Sequence, residues 1–153
     1  MGRAIAGWAK GAIMNRPNHP RVLVAASPAG CGKTLLARSV FRYWRACAVE
    51  SWARGRWGPL HVPAVLWSDW SPLAEVSPTE RDGFWRDAEE AELLVIDDLG
   101  SEVDRFRTGL PCENLRLLLE RRLARRTFTL ITTNLLRSEW SQRWDARVTD
   151  RLL

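Results

Sequence analysis

The sequence alternates short apolar runs with segments in which apolar residues recur every three or four positions. A continuous apolar run bounded by turn residues is typical of a strand that is buried on both faces of a parallel sheet. Two such runs occur, at 93–96 and 128–131, and two further strands are predicted at 21–25 and 64–67. Segments with helical spacing precede, separate and follow them. Strands that alternate with helices predict an α/β fold with a central parallel sheet and right-handed crossovers.

The first helical segments predict which side chains face the sheet. A short helix is expected over 3–13, and a longer one follows the first strand from residue 35. The residues of the longer helix that should face the sheet are Leu36, Val40, Tyr43, Trp44 and Cys47. A basic set falls on another face of this helix: Arg38, Arg42 and Arg45. We interpret that set as a solvated stripe rather than a DNA-contacting patch.

The middle of the chain predicts a loop over 51–63 and then a capped helix. Ser77 suits the cap, Pro78 the first helical position, and Glu80 follows three residues after the cap. The residues that this helix should turn inward are Phe84, Trp85 and Ala88.

The last third of the chain predicts two more helices, after a polar connection over 100–111. One spans 113–126, with Leu115, Leu118, Leu119 and Leu123 on one side. Its arginines are expected elsewhere: Arg121, Arg122, Arg125 and Arg126. The other helix spans 138–153 and carries Trp140, Trp144, Val148 and Leu152.

Composition narrows the class of protein. A chain of 153 residues is long enough to bury a core in one domain, and a 46% hydrophobic, 27% charged composition is ordinary for a globular protein. The net charge of +5 favours a polyanionic partner such as nucleic acid. Trp57 and Trp70 lie in predicted loops, where they could stack on the bases of single-stranded DNA.

The cysteines and the N-terminus bear on location. Three widely spaced cysteines predict free thiols in a reducing compartment rather than a disulfide framework. Lys10 interrupts the first apolar stretch, so neither a signal peptide nor a membrane span is expected. We therefore expect a cytoplasmic protein with no membrane partner.

The strongest motif is Ser27-Pro28-Ala29-Gly30-Cys31-Gly32-Lys33-Thr34, between a strand and a helix. This layout is that of a nucleotide phosphate-binding loop, in which backbone N–H groups and a helix N-terminus hold phosphate oxygens. The predicted binding residues are Ala29, Gly30, Cys31, Gly32, Lys33, Thr34 and Leu35. Lys33 would reach the β- and γ-phosphates of ATP, and the Thr34 hydroxyl would coordinate Mg²⁺.

One position departs from the usual loop pattern, because Ser27 stands where the first glycine is expected. If that position requires a positive φ, serine is strained there. If it does not, serine is a small and harmless replacement.

Polar residues follow two of the predicted strands. Asp97 and Asp98 come after a buried strand, at the end where open α/β sheets bind ligands. Asp97 would hold the Mg²⁺ and its water shell, and Asp98 would orient the attacking water. Asn134 follows the next strand; it could report which nucleotide is bound, or it could form a strand-terminating turn.

Four motifs in this order resemble the AAA+ ATPases of the DnaC helicase-loader and IstB transposition-helper group. They are 27–34, Leu94-Val95-Ile96-Asp97-Asp98-Leu99-Gly100, Ile131-Thr132-Thr133-Asn134-Leu135 and Arg147-Val148-Thr149-Asp150-Arg151-Leu152. The resemblance implies a three-layer P-loop NTPase over 21–153, preceded by a short helix and linker over 1–20. It makes Lys33 and Thr34 Walker A, and Asp97 and Asp98 Walker B.

The resemblance also implies partners. Asn134 matches sensor 1, and Arg151 matches the arginine that reaches the ATP of a neighbouring subunit, which implies a homo-oligomer with a shared ATP site. Without the resemblance, Arg147 and Arg151 would be read as a solvent-facing pair one helical turn apart. A replicative helicase or a transposase would be the macromolecular partner. The motifs end at the arginine pair, so no counterpart of the family's small helical lid is expected.

Two other functions stay open on the sequence alone. A small P-loop phosphotransferase would use the same loop but would pass phosphate to an added acceptor. A nucleotide-dependent interaction module would bind ATP with little turnover. Paired aspartates on a buried strand favour a hydrolase that activates water over a phosphotransferase.

Overall fold

The computed structural model describes residues 2–13, 19–54, 65–77, 83–101 and 109–152. Its four strands are β1 (Val22–Ala26), β2 (Val65–Asp69), β3 (Leu93–Leu99) and β4 (Phe128–Thr133). They form one parallel sheet in the order β1-β4-β3-β2. Because the strands are parallel, each connection between strands that follow one another in the chain crosses over the sheet, as the alternating pattern of the sequence predicts.

Helices cover the sheet. Their bounds are α1 (Gly2–Ile13), α2 (Lys33–Ala53), α3 (Trp70–Ala74), α4 (Gly83–Glu90), α5 (Leu110–Ala124), α6 (Trp140–Arg143) and α7 (Ala146–Leu152). A 3-10 turn, Arg137–Glu139, precedes α6.

Strand β3 is the centre of two hydrophobic cores. Leu94 and Ile96 pack into a core that includes side chains from α3, α5 and α7. Leu93 and Val95 point to the other face and pack with side chains of α1 and α2. Because successive residues of a strand point to opposite faces, one apolar run supplies both cores. The three-layer α/β fold is thus confirmed.

Three side chains lie in environments other than those predicted. Tyr43 is 55% exposed and Phe84 is 41% exposed, although both were expected to face inward. Tyr43 lines a shallow groove with residues of α1 and α2, to one side of the sheet. On α4 the buried residues are Trp85, Ala88 and Glu89, so Phe84 lies at the margin of that face. Arg122, predicted away from the leucines, is completely buried.

Several element bounds also differ from the prediction. Helix α2 continues to Ala53 through the start of the predicted loop, and α5 begins at Leu110 and ends at Ala124. The predicted helix over 138–153 is interrupted, because Trp144 has an extended backbone with φ −127° and ψ 156°. Asp145 then starts α7: its carboxylate accepts a hydrogen bond from the Val148 N–H at 2.8 Å.

Trp70 was assigned to a loop but begins α3 and is 1% exposed, so it cannot stack on a base. Some predictions lie outside the described residues: they concern Trp57, and Pro78 and Glu80 of the predicted helix start. Within the described ranges, no helix is both long and apolar enough to cross a membrane.

Candidate functional site

A cleft of about 720 Å³ lies at the carboxyl ends of the four strands. The described residues that line it include Lys33, Thr34, Asp69, Asp97, Asp98 and Asn134. Because all the strands run in parallel, side chains that are far apart in sequence meet at this one edge of the sheet.

The phosphate loop forms the wall of the cleft beside β1. Gly30 and Gly32 have φ values of +82° and +76°, a region that glycine adopts without the steric cost that a Cβ brings. A Cβ at either position would meet no atom within 4 Å, so it is the backbone angle that requires glycine there. Left-handed residues of this kind turn backbone N–H groups toward a common point and form an anion-binding concavity.

Helix α2 begins at Lys33, directly after these glycines, so its positive end faces the cleft. The Lys33 side chain is 7% exposed, and its ammonium donates to the carbonyl oxygens of Ser27 at 2.6 Å and Pro28 at 2.8 Å. A buried ammonium that lies within an N–H concavity adds a full positive charge where an anion would bind.

Ser27 does not strain the loop. Among the described residues, the non-glycine positions with positive φ are Asp98 and Arg126, and Ser27 is not one of them. Its backbone N–H donates to the Thr133 carbonyl at 3.3 Å, which continues the pairing of β1 with β4. Serine therefore needs no strained backbone at this position, although its hydroxyl is buried without a hydrogen-bond partner in the described part of the chain.

Thr34 and Asp97 lie within contact distance across the cleft. The Thr34 hydroxyl donates to Asp97 Oδ1 at 3.1 Å, and the Thr132 hydroxyl donates to the same oxygen. A threonine hydroxyl beside a carboxylate suits Mg²⁺, which binds oxygen ligands and keeps several of its waters. The donor set therefore fits the predicted metal.

A β-bulge brings the second aspartate to the same cleft. In the pairing of β3 with β4, Ile96 lies opposite Ile131 and Leu99 lies opposite Thr133, so Asp97 and Asp98 together face Thr132. Asp98 has φ +58°, a left-handed conformation that aspartate tolerates better than most residues. In a regular strand two successive side chains would point to opposite faces, whereas here both line the cleft.

Asn134 lies beside Asp98 in the cleft. Its side-chain amide donates to Asp98 Oδ1 at 2.7 Å, and both residues are exposed in the cleft. The structure thus brings together Lys33, Thr34, Asp97, Asp98 and Asn134, which the sequence places on three separate segments.

Other predicted residues lie outside this group. Cys31 and Leu35 are exposed and are not among the described residues that line the cleft. Arg151 lies on α7, where its guanidinium donates to Glu120 Oε1 at 2.6 Å and to the Arg147 carbonyl at 2.6 Å. It does not line the cleft of its own chain, and Arg147 is exposed.

Among the residues that the structure describes, sequence reasoning missed three that line the cleft: Asp69, Ser101 and Thr132. Asp69 pairs in register with Asp97 and is exposed in the cleft. Its signal is an acidic residue at the end of an apolar run, the same signal that identified Asp97. Thr132 belongs to the motif Ile131-Thr132-Thr133-Asn134-Leu135, but a threonine within an apolar run is common in any strand, so its side chain was given no role.

Comparison with solved structures identifies the fold. The chain is similar to the crystal structure of DnaI, with a TM-score of 0.69 and 17% identity over 99% of this chain and 80% of that one. It is similar to the DnaC helicase loader, with a TM-score of 0.62 and 22% identity over 98% of this chain and 78% of that one.

A third similar structure is the replication initiator DnaA bound to AMPPCP and single-stranded DNA, with a TM-score of 0.68 and 16% identity. The alignment covers 98% of this chain and 43% of the DnaA chain, so this chain spans less than half of that protein. No family model and no curated protein matches the sequence. The chain shares the three-layer α/β fold of these proteins, which is the fold that the motif resemblance implies.

Proposed function

We propose that this chain binds ATP with Mg²⁺ and hydrolyses it. The observation that carries the proposal is the convergence of Lys33 and Thr34 with Asp97, Asp98 and Asn134 on one cleft. A phosphate loop alone would fit many nucleotide-binding proteins. A metal-binding pair together with an exposed second carboxylate is what hydrolysis of a phosphoanhydride requires.

Each part of the cleft has a distinct role. Backbone N–H groups over 29–35 and the Lys33 ammonium would hold the phosphates, while Thr34 and Asp97 would hold Mg²⁺. Bound Mg²⁺ supplies charge neutralisation on the β- and γ-phosphate oxygens. Asp98 orients the attacking water, and Asn134 holds the Asp98 carboxylate at 2.7 Å and so links it to the γ-phosphate position.

The proposed homo-oligomer shares its ATP sites between subunits through Arg151. That side chain lies on α7, away from the cleft of its own chain, and is held at 2.6 Å by Glu120. A guanidinium supplied by a neighbouring subunit would stabilise the charge that develops on the γ-phosphate, and it would couple turnover to assembly.

The biological process we propose is DNA replication, as a loader of the replicative helicase, with single-stranded DNA as a further ligand. Two similar structures support this process: one is a helicase loader, and the other is a replication initiator bound to single-stranded DNA. Transposition, with a transposase as the partner, is the alternative from the sequence motifs.

The first test is phosphate release from ATP–Mg²⁺ over a range of protein concentrations, with and without single-stranded DNA. We expect turnover per subunit to rise with concentration and to fall at least tenfold in Arg151→Ala. The matched control is Arg147→Ala, one helical turn earlier and exposed, which should retain wild-type turnover.

Equal turnover in both variants would contradict a shared arginine. ATP binding without phosphate release at any concentration would instead identify a nucleotide-dependent interaction module. Transfer of phosphate to an added acceptor would identify a phosphotransferase.

A further inference from the structure

Thr132 contacts Asp97 and Asp98 at the same time, and the sequence motif that contains it gives its side chain no role of its own. We propose that its hydroxyl is a positioning group that fixes Asp97 and Asp98 relative to each other and thereby sets the Mg²⁺ affinity of the site. This inference rests on the proposed function, since it concerns the same cleft.

The hydroxyl makes two contacts at once. It donates to Asp97 Oδ1, and it accepts a hydrogen bond from the Asp98 backbone N–H at 2.9 Å. A threonine hydroxyl has one hydrogen and two lone pairs, so the contacts do not compete. Thr132 is 1% exposed, and the pair of contacts is therefore shielded from bulk water.

The contact with Asp98 explains how the bulge persists. The extra residue of a bulge is left out of the strand ladder, so its N–H needs another acceptor. The Thr132 hydroxyl is that acceptor, and it stabilises a backbone with φ +58°, a conformation that few non-glycine residues adopt. Without it, the Asp98 backbone N–H loses this acceptor, and the bulge that brings Asp98 to the cleft loses a contact that stabilises it.

The contact with Asp97 orients the carboxylate that is proposed to bind the metal. Two hydroxyls, those of Thr34 at the start of α2 and Thr132 in β4, donate to Oδ1. Hydrogen bonds of this kind hold a carboxylate in one orientation before the metal binds, and their loss commonly lowers metal affinity by about 10- to 100-fold.

Strand β4 contains two further buried threonines, and both contact other groups. The Thr133 hydroxyl donates to the Leu99 carbonyl at 2.7 Å and accepts from the Leu135 N–H at 3.1 Å. The Thr129 hydroxyl accepts from Arg122 Nε at 2.9 Å. Thr132 thus differs from its neighbours in contacting the carboxylate and backbone of the acidic pair, while Thr133 offers a matched control.

The experiment measures the Mg²⁺ concentration that gives half-maximal binding of a fluorescent ATP analogue to the full chain. We expect Thr132→Val to raise that concentration about tenfold or more, with binding in EDTA within twofold of wild type. Thr132→Ser, which keeps the hydroxyl, should restore the wild-type value. Thr133→Val should leave the Mg²⁺ requirement unchanged even if it lowers the melting temperature.

An unchanged Mg²⁺ requirement in Thr132→Val would overturn the inference, as would equal shifts in Thr132→Val and Thr132→Ser. If Thr132→Val does not fold, the comparison passes to Thr132→Ala and Thr132→Ser, which differ by the hydroxyl alone. Failure of the wild-type chain to bind the analogue would overturn the proposed function as well. Normal Mg²⁺-dependent binding by wild type with no effect at residue 132 would overturn this inference alone.

Discussion

Strand β4 carries a buried threonine near each end, and the two hydroxyls belong to very different polar clusters. At the amino end Thr129 accepts a hydrogen bond from Arg122, and at the carboxyl end Thr132 donates one to Asp97. The residue type and the strand are the same, and both side chains are fully buried or nearly so. The two threonines therefore differ mainly in the groups that surround their hydroxyls.

At the amino end of β4, the polar cluster around Thr129 is closed to solvent. The Arg122 guanidinium donates to the carbonyls of Phe128 at 2.5 Å, Ala88 at 2.6 Å and Ala91 at 2.9 Å, and it has no exposed surface. It therefore joins α5, β4 and the turn between α4 and β3. Burial lowers the pKa of Arg122 to about 9, which still leaves the group charged at pH 7.

At the carboxyl end the cluster is open. Thr132 and Asp97 are buried, but the next residues outward, Asp98 and Asn134, are exposed in the cleft. The buried members hold the exposed ones in place. The difference is that polar groups are buried at one end of the sheet, whereas at the other end they are exposed in the cleft.

The largest expected effect is on stability, in Arg122→Ala. Several buried carbonyls would lose their donor, and each such group costs about 1–3 kcal/mol, so we expect a loss of about 3 kcal/mol or more in the free energy of unfolding. Urea denaturation measures it. The control is Arg125→Ala, whose ion pair with Glu90 is half exposed and should matter by less than about 0.5 kcal/mol. Similar losses in both variants would refute a closed structural cluster.

Asp98→Asn tests the open cluster. Asparagine tolerates a positive φ and keeps an oxygen for Asn134, so the fold should persist while the charge that orients water is lost. Phosphate release should fall about 100-fold, and the affinity for ATP should stay within a few-fold of wild type. Wild-type turnover in this variant would mean that Asp98 does not act on the water.

Lys33→Ala should lower the affinity for ATP rather than the free energy of unfolding. A charged hydrogen bond contributes about 1.5–3 kcal/mol, which corresponds to a loss of about 10- to 100-fold in ATP affinity. Equilibrium titration with the fluorescent analogue measures this loss, and Arg42→Ala, exposed on the same helix, is the control for a change in charge. An ATP affinity equal to that of wild type would remove Lys33 from the phosphate site.

The prediction of the strands and of the glycine-containing turn before α2 succeeded because their determinants are local. The apolar run Leu93-Leu94-Val95-Ile96 can bury both of its faces only inside a parallel sheet, whatever surrounds it. The positive φ of Gly30 and Gly32 needs glycine at those two positions, and the helix follows at Lys33. Such features are determined by residues within a few positions of one another.

The sequence contains evidence that Arg122 is buried, but the prediction gave more weight to its charge. It lies three residues after Leu119 and four after Leu118, so helical spacing already places it on the leucine face. Its charge favoured a solvent-exposed position, because burying an unpaired cation costs free energy. Only the carbonyl acceptors that α4, the turn after it and β4 bring to it make the burial possible.

By itself, then, the sequence determined the order of strands and helices, the phosphate loop and the acidic end of β3. The tertiary structure decided that Asp98 occupies a bulge, that Thr132 supports both aspartates, that Asp69 shares their cleft and that Arg151 pairs with Glu120. The physical reason is distance along the chain. Periodicity and local backbone preference act over a few residues, whereas these contacts join residues about 30 or more positions apart, and only the packing of the sheet brings such residues together.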